Sequence, residues 1–77
     1  MYEGKEYISV TVVSNTGGSV ISRQKDVDIE FVKLMFKSDY VTVDGMTIKK
    51  EAVEVDHYGS VTFYGSQMYR SGDFLNR

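Results

Sequence analysis

The sequence predicts an α+β domain in which one strongly bent antiparallel sheet packs on a single helix. Three observations predict it. Apolar and polar side chains alternate with a period of two in several short segments. One segment, residues 26–38, instead sorts its polar residues onto a single helical stripe. Turn clusters (SNTGG, DG, HYGS) separate the segments, and there is no proline anywhere. The element order reads β-β-α-β-β-β-β, about five to six strands. The alternative is a small SH3-like or OB-like partly closed barrel with an inserted helix.

Residues 6–13, EYISVTVV, place Ile8, Val10 and Val12 on one face. Their β-branched side chains suit a half-buried strand. SNTGG is then a hairpin loop, and SVISRQ at 19–24 the return strand. Residues 26–38, DVDIEFVKLMFKS, are ambiguous at the start, where Val27, Ile29 and Phe31 alternate with acids. Wound as a helix, Asp26, Glu30, Lys33 and Lys37 fall on one stripe at i, i+4, i+7 and i+11. Acids lie early and lysines late, as the helix dipole prefers. The apolar remainder is too wide for one sheet to cover. Val27, Phe31, Leu34 and Met35 make one apolar face. Ile29, Val32 and Phe36 make a second, read either as covered by the curling sheet or by the tail, or as a dimer or partner surface.

In YVTVDGMTI at 40–48, Asp44-Gly45 sits between two alternating arms. That dipeptide favours a type I′ hairpin turn. KKE reads as a break, AVEVD at 52–56 as a short strand, and VTFY at 61–64 as the last strand, with Phe63 directed to the core and Tyr64 outward. Tyr-Gly-Ser occurs at 58–60 and again at 64–66. The first copy reads as the turn entering the last strand and the second as the exit from it. Residues 71–77 read as a tail on a single domain spanning 1–77.

Composition narrows the function classes. A chain of 77 residues buries only ~60% of its unfolded surface, so its core is thin. No cysteine and one histidine exclude disulfides, thiolate zinc sites and His-rich metal sites, and neither metal nor cofactor is expected. The N-terminal MYEGKEYISV lacks a basic stretch leading into an apolar one, so no secretory signal is expected. No apolar run approaches the ~18 residues of a membrane span. A cytoplasmic protein is therefore expected. Net charge is −2, which disfavours generic phosphate-backbone binding. The middle is acidic, with eight acids against four bases over residues 26–56.

No motif rises to a catalytic signature, so a non-enzyme is expected. His57 stands at a turn between Asp56 and Tyr58, and neighbours on a strand point to opposite faces. Glu54 and Asp56 share a strand face, with Val53 and Val55 on the other, which is the ordinary pattern of a solvated strand. NTGGS lacks the Gly-Lys-Ser/Thr that a phosphate-binding loop needs.

What remains is surface. Tyr58, Tyr64, Met68, Tyr69 and Arg70 form an aromatic, Arg-bearing segment of the kind enriched at protein interfaces. The expected function is a small interaction protein that binds and modulates a partner protein, as an inhibitor or adaptor. Its size class is common among accessory and host-modulating proteins of phages and mobile elements. Two alternatives compete. Asp44, Glu51, Glu54 and Asp56 could form an acidic patch that mimics nucleic acid in a basic cleft. The aromatic segment could instead stack single-stranded bases, although Arg70 and Arg77 supply few phosphate contacts and nucleic acid is not the expected partner. A homodimer is expected, through Ile29, Val32 and Phe36 or through an exposed sheet edge.

Overall fold

The computed structural model describes residues 6–15 and 18–68. Strand β1 (Tyr7–Ser14) pairs antiparallel with β2 (Ile21–Asp28). Helix α1 (Ile29–Lys37) follows directly, then the hairpin of β3 (Tyr40–Val43) and β4 (Met46–Val55), then β5 (Val61–Met68). The sheet order is β2-β1-β5-β4-β3. It curls until its outer strands, β2 and β3, come within 8 Å of one another. The result is a nearly closed, barrel-like sheet with one helix.

Alternation decides what enters the core. Val10 and Val12 of β1, Val41 and Val43 of β3, Met46 and Ile48 of β4, and Val61 and Phe63 of β5 all face inward and are buried. Val32 is the one buried residue of α1. Ile8, Ile21, Val27 and Met35 pack around this cluster, half-buried. Among the described residues no buried side-chain polar atom lacks a partner, as a thin core requires. The Asp44-Gly45 turn has φ of 50° and 83°, both positive, which is the type I′ geometry expected of it.

Four expectations are corrected. The sheet is mixed, because β5 lies parallel to β1, with Val10 opposite Val61 and Val12 opposite Phe63. Three strands follow the helix rather than four, since residues 46–55 form one strand. The break expected at KKE is a bulge. Lys50 stands opposite Gly65 and Ala52 opposite Tyr64, so Glu51 is the extra residue. The last strand does not stop at Tyr64 but runs through Gly65 to Met68. Gly65 is a strand residue at a close approach: a Cβ there would stand 1.9 Å from the Lys49 carbonyl oxygen. The tail at 71–77 lies outside the described residues.

The fourth correction is the helix. Asp26, Val27 and Asp28 stay in β2, so α1 begins at Ile29 rather than at residue 26. Asp28 is its N-cap, its Oδ1 accepting from the Glu30 N–H at 2.9 Å. The Ile29 N–H donates to the Glu6 carbonyl at 2.9 Å. At the other end the Lys50 Nζ donates to the Met35 and Phe36 carbonyls. Ties at both ends fix the helix's rotation, which turns Val32 to the core and Phe31 and Leu34 outward. Val32 is 2% exposed and the Phe36 ring meets Phe63 edge-on at 5.5 Å, while Phe31 and Leu34 are 60% and 57% exposed. Ile29 is half-buried. Met35 of the first face packs half-buried on the core, and Phe36 of the second stays 42% exposed, so the curling sheet covers Val32 and each face is only partly buried.

Candidate interaction surface

Two surface features stand out once the core is assigned. The first is the outward side of α1. Phe31 and Leu34 are three residues apart, hence neighbours on the helix surface, and both are exposed. Beside them the Glu30–Lys33 pair spans 3.5 Å with both side chains solvated, a geometry that adds little stability.

The second feature is the lower half of β4. β3 covers only Met46–Lys49, and the last bond on that side is from the Lys50 N–H to the Asp39 carbonyl at 2.7 Å. From Glu51 to Val55, β4 pairs with β5 alone among the described residues. Val53 and Val55 stand opposite Phe63 and Val61, so they point to the core side, yet they are 36% and 60% exposed. The opposite, outer face carries Glu51 and Glu54. Ser66 Oγ donates to Glu51 Oε2 at 3.0 Å, and the Tyr64 hydroxyl donates to Glu54 Oε1 at 2.7 Å. That second bond raises the Tyr64 pKa, with desolvation and the Glu54 charge adding to it.

The four acidic residues do not all gather. Glu51, Glu54 and, just past the strand's end, Asp56 follow one another along the outer side of β4, and Asp44 lies apart from them. Asp44 is in the β3–β4 turn, and Asp56 is past the other end of β4. Ten strand residues separate them, roughly 33 Å of extended chain. Asp56 is committed to its turn: its Oδ1 accepts from the Tyr58 and Ser60 N–H groups at 2.9 and 3.1 Å. A single acidic face of the kind a nucleic-acid mimic presents is therefore not assembled from these four residues.

The aromatic segment is also spread out. Tyr58 is 82% exposed in the Tyr58-Gly59-Ser60 turn, with its ring 4.0 Å from that of His57. Tyr64 lies mid-strand on the outer face, and Met68 ends β5, half-buried. Turn and strand end are separated by the full length of β5. Tyr69 and Arg70 lie outside the described residues. Among the described residues no group of three or more Asp, Glu or His side chains is placed to hold a metal ion. No helix there is long and apolar enough to cross a membrane.

The open half of β4 was missed by sequence reasoning, and a signal for it existed. The strand before the Asp44-Gly45 turn has room for four residues after the helix, whereas alternation resumes beyond KKE. Treating 46–56 as two strands hid the mismatch in length. No protein-family model, curated protein or solved structure matches this chain.

Proposed function

We propose that this chain is a small interaction module that binds a partner protein and modulates it, with no chemistry of its own. The observation that carries the reading is the outward pair Phe31 and Leu34 on α1. A domain this small has few apolar residues to spare, and these two are spent on solvent while Val32 alone is fully buried from the same helix. Exposed neighbouring large apolar residues on one element mark association surfaces. Asp44 stands apart from the other three acids, Asp56 is tied into its own turn, and the described aromatics are spread out, which favours neither nucleic-acid alternative.

The test is affinity capture from the native host, run side by side with wild type and a Phe31→Ala/Leu34→Ala variant. One partner retained in stoichiometric amount by wild type and lost by a folded variant supports the reading. Equal retention by both moves the surface elsewhere. A wild-type chain that retains nothing, and doubles in mass by light scattering, points to a homodimer over the same face instead.

A further inference from the structure

Among the described residues the sheet leaves two long edges unpaired, and they are built differently. On β2, the residues pointing to the core side between Ile21 and Val27 are Arg23 and Lys25, opposite Val12 and Val10. Both are exposed. Inward-pointing charges on an edge strand are a known guard against another strand adding there. On β4, the residues in the equivalent positions are Val53 and Val55. Val53 and Val55 carry no such charge and that stretch has no proline; the inward Lys50 just before it is held by the Met35 and Phe36 carbonyls.

The backbone of the same two valines faces outward. The Asp56 N–H bonds to the Ser60 carbonyl at 3.0 Å, which makes Asp56–Ser60 a hydrogen-bonded pair. In an antiparallel ladder such pairs alternate. Glu54 and Ala52, opposite Thr62 and Tyr64, therefore direct their N–H and C=O groups at β5. Val53 and Val55 direct theirs away from it, to the side that β3 does not reach. The Glu51 bulge sits where β3's coverage stops, a common use of a bulge to end pairing.

We propose that the Glu51–Val55 edge of β4 receives an extended segment of a partner protein, added as a sixth strand, whose side chains alternate apolar and basic. This rests on the reading of the chain as an interaction module and names the site and the class of ligand. The backbone groups of Val53 and Val55 bind the segment's main chain. Its apolar side chains join Val53 and Val55 on the core side, beside Phe63. Its basic side chains meet Glu51 and Glu54 on the outer face, where each carboxylate has acceptor capacity beyond its one bond to β5.

Charge selects a basic partner over a second copy. Two copies of this edge paired antiparallel about Val53 place Ala52 opposite Glu54 and bring the two Glu54 side chains to diagonal positions about 7–8 Å apart. Glu51 of each copy joins the same outer face. Four carboxylates then share one face with no base supplied by the edge itself. A segment with lysine or arginine at those positions neutralises them instead.

The test uses the full chain and a capped hexapeptide of sequence Lys-Val-Lys-Val-Lys-Val, with Glu-Val-Glu-Val-Glu-Val as control. Amide hydrogen exchange is read at Val53 and Val55. In the free protein both exchange fast. The basic peptide slows both by at least tenfold, weakens steeply with salt, and the acidic control does neither. Val53→Pro removes an outward N–H without breaking the β5 ladder, and it lowers peptide affinity at least tenfold. Glu51→Lys, which spares the backbone, does the same if the proline variant fails to fold. The proposal is overturned if Val53 and Val55 are already protected in the free chain, by its own termini or by a second copy. It is equally overturned if both peptides bind alike, or if folded Val53→Pro binds as wild type does. A native partner retained by Val53→Pro but lost by Phe31→Ala/Leu34→Ala sinks this site and leaves the interaction reading standing.

Discussion

The Lys50 ammonium holds the end of the helix through the Met35 carbonyl, 3.0 Å away, and reaches the Phe36 carbonyl as well. Those carbonyls belong to the last turn of α1, where the helix leaves its acceptors unsatisfied and its dipole is negative. Lys50 can reach them because it stands on the core side of β4, opposite Gly65 and next to the bulge. Its amine also lies 5.7 Å from the centre of the Phe63 ring, within cation–π range. Lys50→Met keeps the apolar stem and removes the cap. Urea denaturation should show a loss of about 1–2 kcal/mol, the range for a charge-assisted bond plus a dipole contribution. Lys50→Arg should recover part of it.

The rotation of α1 predicts opposite outcomes for residues only one or two positions apart. Val32→Ala opens a void in the core cluster beneath the helix, and should cost about 2 kcal/mol. Phe31→Ala and Leu34→Ala each remove a mostly solvated side chain and introduce the best helix former. Each should stay within about 1 kcal/mol of wild type in the same denaturation experiment. A large loss at Phe31 or Leu34 with a small one at Val32 would mean that the helix sits the other way round.

That rotation also shows where sequence reasoning runs out. The alternation of β1, the inward Phe63 and the positive-φ turn at Asp44-Gly45 are local properties, and each was legible. The choice between two apolar helix faces is not local. Val32 lies inside, and the Phe36 ring leans on Phe63, because Glu6 holds one end of α1 and Lys50 the other, and both partners are distant in sequence. The parallel pairing of β1 with β5 is hidden for the same reason, since Val10 and Val61 carry no mark of one another. The open edge of β4 follows from these long-range facts together. Only its side chains, Glu51, Glu54, Val53 and Val55, could be noticed in advance, and they were noticed as an ordinary solvated strand.

Gly65 separates the two copies of Tyr-Gly-Ser. In the first, Gly59 belongs to a turn and its Cβ position is open space. In the second, a Cβ on Gly65 meets the Lys49 carbonyl oxygen at 1.9 Å and its carbon at 2.8 Å, both backbone atoms. Neither can swing aside as a side chain would, so β4 and β5 must part at the bulge. Gly65→Ala should therefore destabilise by about 3 kcal/mol, the upper end for forced overpacking, and should shift the amide resonances of Lys49 and Lys50.

Tyr64 supplies a pH-dependent signature of the outer face. Its hydroxyl donates to Glu54 Oε1 at 2.7 Å. Ionising the phenol removes that donor, which is the main reason its pKa lies above the ordinary value of 10.0; desolvation and the Glu54 charge push the same way. The native state thus prefers the protonated phenol more strongly than the unfolded chain does. The stabilisation is fully present below the unfolded pKa and is lost as pH rises through the higher native value. In absorbance titration near 295 nm, wild type should show a phenol step above the ordinary value of 10.0. Tyr64→Phe should delete that step. Glu54→Gln keeps an acceptor oxygen but removes the charge, and should move the step down without bringing it fully to the ordinary value. An unchanged titration in Glu54→Gln would separate Tyr64 from Glu54 in solution.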